Sequence, residues 1–147
     1  MDTKKMVMAW FSGFLVMFII GGIWHNFVML DYNAASYADI NLPEEEFSLL
    51  YIIIGYLIFS FMMAYMYPMG VGGGTALNEG MKFGAMMGIF MAIPRAFILA
   101  GAYKMPLDAN LYDALYHVVE LAIGGIVIAK IYGSGGGDET SAETESE

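Results

Sequence analysis

Apolar residues in this chain fall into long runs without the period-2 alternation of a half-buried strand. A helix that crosses a bilayer needs about 20 mostly apolar residues. Four segments meet that length: Met6 to Leu30, Phe47 to Tyr67, Met81 to Tyr103 and Leu111 to Tyr132. The second run stops at Pro68 and a glycine-rich turn, and the fourth stops at Gly133. In lipid only helices and closed barrels satisfy their backbone groups. The pattern therefore predicts an all-α fold, an integral membrane four-helix bundle over residues 1–133.

Composition agrees. Of 147 residues, 59% are hydrophobic and 14% charged, against about 45–50% and about 25% in a soluble domain. This excludes a disordered chain and argues against a soluble globular one. Cysteine is absent, which removes disulfides, thiolate catalysis, thiolate zinc sites and iron–sulfur clusters. Lys4-Lys5 before an apolar run has the look of a signal peptide. The run extends to Leu30, however, beyond the about 7–15 residues of such a region, and Ala34-Ala35-Ser36 is a poor cleavage site. The segment reads as a retained helix.

Charge sets the expected orientation. Lys4, Lys5, Lys82 and Lys130 fall at one side of the four spans, and only Lys104 at the other, beside the acidic loop Asp31–Glu46. The positive-inside bias places the first side, with both termini and the Pro68–Gly80 turn, in the cytoplasm of a cell whose inner (plasma) membrane holds the chain. The net charge is -9, and the last ten residues carry five acidic groups and no basic one. No basic patch exists to release counterions from nucleic acid, so nucleic acid is not an expected partner. Residues 134–147 are expected to be a disordered acidic tail. A distant repeat is also readable, with Leu50-Tyr51 through Tyr67 laid on Leu115-Tyr116 through Tyr132.

Gly80, Gly84, Gly88, Ala92, Ala96 and Ala100 recur every four residues, on one face of the third span. Small side chains let helix backbones approach closely where lipid supplies no hydrophobic driving force. The stripe predicts that this helix is a packing centre within the bundle.

Ionisable groups inside a span are rare and face the bundle interior. His25, Arg95, His117 and Glu120 occupy such positions. At about 1.5 Å per residue all four lie about 7–14 Å below the outer boundary, in one layer, with Tyr56 at a similar depth. Asp113, His117, Glu120 and Gly124 form one stripe of the last helix, and Gly21, Gly22 and His25 share a face of the first. Pro94 beside Arg95 frees a carbonyl and is expected to kink its helix. Because a guanidinium keeps its proton, Arg95 requires an anion. The structural reading is a buried Arg95–Glu120 ion pair. The functional readings are an outer pocket that binds a carboxylate or similar anion, a proton or redox relay, or a metal or haem at His25 and His117 with Glu120 as a further ligand. Gly70-Val-Gly72-Gly73-Gly74-Thr75 lacks the end of a phosphate loop and reads as a flexible turn.

Short motifs add a resemblance. Gly21-Gly22-Ile23-Trp24-His25, the glycines Gly80, Gly84 and Gly88, and Tyr116-His117 followed by Gly124-Gly125 resemble an uncharacterised bacterial family of four-helix integral membrane proteins, a domain of unknown function. The resemblance spans residues 6–133 and implies a four-helix membrane fold without supplying an activity. Arg95 and the acidic tail have no counterpart in it.

The expectation is a non-enzymatic, multi-pass membrane protein without a resident cofactor. Its outer-half pocket, lined by His25, Arg95, His117, Glu120, Trp24 and Tyr56, binds or moves a small anionic ligand or protons. The alternative is an accessory subunit of a larger membrane complex. Partners are the lipid bilayer and, at the glycine stripe or the tail, a second copy or another subunit.

Overall fold

A computed structural model describes residues 2–133. The predicted acidic tail lies outside them. Five α-helices follow in order: α1 (Thr3–Ile23), α2 (Leu30–Ser36), α3 (Leu49–Met66), α4 (Ala76–Ala102) and α5 (Leu107–Tyr132). A π-helical turn, Trp24–Val28, prolongs α1. Four stretches are long and apolar enough to cross a membrane: Thr3–Val28, Leu49–Met69, Ala76–Ala102 and Leu107–Tyr132. No strand occurs among the described residues. This is the architecture of an α-helical membrane protein, and the faces left uncovered carry large apolar side chains such as Phe27, Ile58, Phe90 and Ile98.

Local chemistry sets the ends. The Asp2 carboxylate accepts from the backbone N–H groups of Lys4 (2.9 Å) and Lys5 (3.2 Å) and caps α1. Thr75 caps α4 through its hydroxyl on the Asn78 N–H. Pro106 leads into α5, and Gly133, at φ 83°, closes it in a backbone region open to glycine. Three spans begin earlier than the apolar runs indicate. Thr3 to Lys5, Ala76 to Gly80 and Leu107 to Asn110 are helical, the first two behind the side-chain caps of Asp2 and Thr75 and the third behind Pro106.

The spans are arranged as a row, α4–α5–α1–α3, with α5 and α1 in the middle. Within its most apolar window α5 is 44% buried, against 17–22% for the others, so α5 rather than α4 is the centre. The alanine and glycine stripe explains the α4–α5 seam. Gly80, Gly84, Gly88, Ala92 and Ala96 are all buried. A methyl group on Gly84 would run into the Leu121 carbonyl, and one on Gly88 would lie 2.6 Å from the Val118 Cα. The two backbones touch there.

At the end carrying Thr3 and Tyr132, here the basal end, a core of Ala9, Met17, Met63, Ala64, Leu121 and Ile128 binds α1, α3 and α5. Backbone carbonyls in this core recruit side-chain donors. Trp10 Nε1 donates to the Leu57 carbonyl (2.8 Å), Ser60 to that of Trp10 (2.6 Å), and Tyr132 to that of Ala64 (2.8 Å). Lys5 Nζ donates to the Tyr132 carbonyl (3.1 Å), so the start of α1 and the end of α5 share this end. Tyr67 and Tyr132, the final residues of the suggested repeat, stack with centroids 5.7 Å apart. Its Leu-Tyr starts differ in setting: Tyr51 is exposed and Tyr116 buried.

One local expectation changes. The glycine turn is not slack: the Glu79 carboxylate accepts from the N–H groups of Gly72 (2.9 Å) and Gly74 (3.2 Å). An acceptor from within the chain fills the nest that these amides form. At Pro94 the helix α4 runs on without a break, from Ala76 to Ala102.

Candidate functional site

Toward the apical end, opposite the basal core, α3 and α4 are far apart. At the basal end Tyr67, just past α3, meets Phe83 of α4 edge-on at 5.4 Å. A cavity of about 890 Å³ fills the space between them. α1 and α5 form its back wall, and α2 with the chain that follows contributes Asn33, Tyr37 and Asn41. This cover is tied to α5 by Tyr32 Oη on Asp108 Oδ2 (3.0 Å) and Tyr37 Oη on Asn110 Oδ1 (3.1 Å). Burial pushes the Tyr37 hydroxyl up to about 12. The nearby Asp113 carboxylate adds to the rise and Arg95 opposes it. Tyr37 therefore remains a donor to Asn110 across physiological pH.

The cluster on the back wall starts with Glu120, 1% exposed. A buried carboxylate needs donors, and both oxygens have one. Tyr56 Oη donates to Oε1 at 2.9 Å, and His117 Nδ1 meets Oε2 at 2.7 Å. An ionised carboxylate only accepts, so a proton sits on His117 Nδ1 in this pair. His117 Nε2 lies 3.5 Å from Asp113 Oδ2. From α1, His25 Nε2 lies 3.8 Å from Asp113 Oδ1, and His25 Nδ1 is 3.5 Å from Asn33 Nδ2.

Two local devices permit this. The π-helical turn, with Met29 N–H bonded to the Trp24 carbonyl, adds a residue to the helical circuit at His25. Gly21 leaves room for the Tyr56 hydroxyl, which a methyl group there would overlap.

Of the six side chains singled out in the sequence, His25, Tyr56, Arg95 and His117 line the cavity. Glu120 lies behind His117. Trp24 is elsewhere: it stacks on Tyr116 (4.5 Å, 5°) in a shallow apolar groove with Ile20, Ile23 and Val119 on another face. The Arg95–Glu120 ion pair does not form. Glu120 is occupied by Tyr56 and His117, and Arg95, on α4, is exposed at the cavity rim. Among the described residues, no carboxylate oxygen lies within 4.0 Å of the Arg95 guanidinium.

Asp113, Asn33, Tyr37 and Asn110 join the site without having been singled out for it. Asp113 was visible on the His117–Glu120 stripe. Its helix starts at Leu107 rather than Leu111, which carries it a turn deeper. Asn33 and Tyr37 come from the α2 region, for which the sequence offers no strong pattern. No known protein family, curated protein or solved structure matches this chain, so the functional reading rests on the site.

Proposed function

We propose that this chain is a small multi-pass membrane protein that binds, and passes along its apical chamber, a small anionic ligand held by Arg95. The observation that carries this reading is the Arg95 guanidinium, permanently charged, on the cavity wall with no carboxylate within 4.0 Å among the described residues. Its planar fork suits a carboxylate or phosphate. Asn110 supports it with a buried Nδ2 donor that has no partner. Tyr56 and His117 complete the polar wall.

In the same proposal the basal end is cytoplasmic and the host is the inner (plasma) membrane. Lys5 and the end of α5 are together at that end, in keeping with the charge bias of Lys4, Lys5, Lys82 and Lys130. Membership of the four-helix family with Trp-His and Tyr-His motifs belongs to this reading. The residues that carry the resemblance meet in pairs: Trp24 on Tyr116, and His25 beside His117 with ring centroids 6.4 Å apart. The accessory-subunit alternative loses one support, since the glycine stripe is consumed inside the chain.

Thermal unfolding of the purified protein against a panel of small mono- and dicarboxylates, sulfate and phosphate tests the reading. At least one anion raises the wild-type midpoint, and the same anion leaves Arg95→Ala unmoved. Equal shifts in both proteins, or none in either, overturn it.

A further inference from the structure

The His25–Asp113–His117 cluster differs from an ordinary buried polar group in its spacing. The two imidazole-to-carboxylate distances are 3.8 and 3.5 Å, longer than the about 2.7–3.2 Å of an N–H···O hydrogen bond. Left to themselves these groups neither bond directly nor separate. One donor atom from each lies within 4.8 Å of the others. Ligand atoms at about 2.0–2.1 Å from a tetrahedral ion sit about 3.3 Å from one another; the two short contacts, made to different oxygens of Asp113, are already near that spacing, and the other separations, none above 4.8 Å, close as the side chains turn onto an ion.

We propose that His25, Asp113 and His117 bind one divalent transition-metal ion of the Zn²⁺ or Fe²⁺ class, with its remaining positions open to the chamber. Two imidazoles and a carboxylate are a borderline donor set. They suit Zn²⁺, Fe²⁺ and Co²⁺, whereas Mg²⁺ and Ca²⁺ take oxygen cages. Asp113 between the two rings makes this a pocket for an ion rather than for the flat ring of a haem.

The surroundings have the form that metal sites need. A ligating histidine is held by a partner on its other nitrogen, which sets the tautomer and aims the lone pair. His117 has Glu120 on Nδ1 at 2.7 Å, and Glu120 is fixed in turn by Tyr56. His25 has the Asn33 amide near Nδ1 at 3.5 Å, and turning that amide over offers its oxygen to an Nδ1–H. Both Nε2 atoms are thereby released toward Asp113. His25, Asp113 and His117 all line the cavity, so an ion there has an open face, as a site with an exchangeable ligand requires. This inference goes beyond the anion reading, since it needs neither Arg95 nor an anion.

The test uses the tag-free 147-residue chain in lipid nanodiscs, stripped with a chelator and titrated with Co²⁺ alone. These are the only two histidines, and there is no cysteine, so the background is small. The wild type develops the intense visible band of a low-coordinate Co²⁺ site, saturating at one ion per chain and displaced by Zn²⁺. His25→Ala and Asp113→Asn lose the band. Glu120→Gln, which keeps the shape of the side chain, weakens Co²⁺ binding by about 10–100-fold. Circular dichroism confirms that each variant is helical, and His25, only half-buried, is the position whose loss least threatens folding. A wild-type spectrum that stays that of hydrated Co²⁺ overturns the site, as does unchanged affinity in His25→Ala and Asp113→Asn. Arg95→Ala keeps the band. An absent anion response with an intact band removes the anion reading alone, and a lost band with an intact anion response removes the metal alone.

Discussion

Glu120 illustrates what a single polar side chain demands in an apolar bundle. Both its oxygens have donors, Tyr56 and His117, and Gly21 leaves room for the first. Tyr56→Phe removes the donor on Oε1 and leaves that oxygen buried and unpaired, which costs about 1–3 kcal/mol. Reversible denaturation in mixed micelles reads the loss, with Tyr51→Phe, at an exposed ring, within about 0.5 kcal/mol of wild type. Gly21→Ala attacks the same bond from α1 by pushing the Tyr56 hydroxyl aside, so the double variant with Tyr56→Phe is less destabilised than the sum of the two single changes. That non-additivity is the readout. Residues of this kind were largely legible in the sequence, because an ionisable group in a long apolar run stands out by its cost. Their partners were not. Counting formal charges offers Arg95 as the natural mate for Glu120, whereas a tyrosine hydroxyl and a histidine N–H meet the need without a second permanent charge.

At the scale of the helix, the α4–α5 seam separates two kinds of glycine. Gly84→Ala places a methyl group against the Leu121 carbonyl, a clash with backbone that no rotamer relieves. The expected cost is at the upper end of the about 1–3 kcal/mol typical of overpacking, visible as a lowered unfolding midpoint. Gly101→Ala, with nothing within 4 Å, stays within about 0.5 kcal/mol of wild type. Glu79→Ala strips the acceptor from the Gly72 and Gly74 amides. It raises hydrogen exchange at those two amides while leaving exchange in the middle of α4 unchanged. The stripe of small residues was readable because i, i+4 spacing maps onto one face whatever the partner. The π-helical turn at Trp24–Val28 was not. It depends on one backbone hydrogen bond reaching a residue further along, and no residue type marks it. The face of His25 was legible all the same, because the chamber is lined by Gly21, Gly22 and His25, the set that ordinary helical spacing groups together.

For the molecule as a whole, the four apolar runs already contained the membrane architecture, and only the side-by-side order of the helices was hidden. Helices of equal apolarity carry no label saying which neighbours meet. That order follows from where small residues and tyrosine hydroxyls allow close approach. The absence of cysteine gives the proposed orientation a clean test. Ala38→Cys, after α2, reacts with a membrane-impermeant maleimide added to intact cells, and Asn78→Cys, at the basal start of α4, reacts only after lysis. The reverse pattern inverts the topology.

The row arrangement has a consequence for biosynthesis. α5 touches α4 along one side and α1 along the other, yet it is the last of the four to leave the ribosome. Until it arrives, α1 and α3 can assemble their basal contacts, but His25 has no Asp113 and Tyr56 has no Glu120. The polar wall is thus completed only once α5 has emerged. A chain truncated ahead of α5 is left with half a chamber facing lipid, the kind of defect by which membrane quality control recognises an unfinished product.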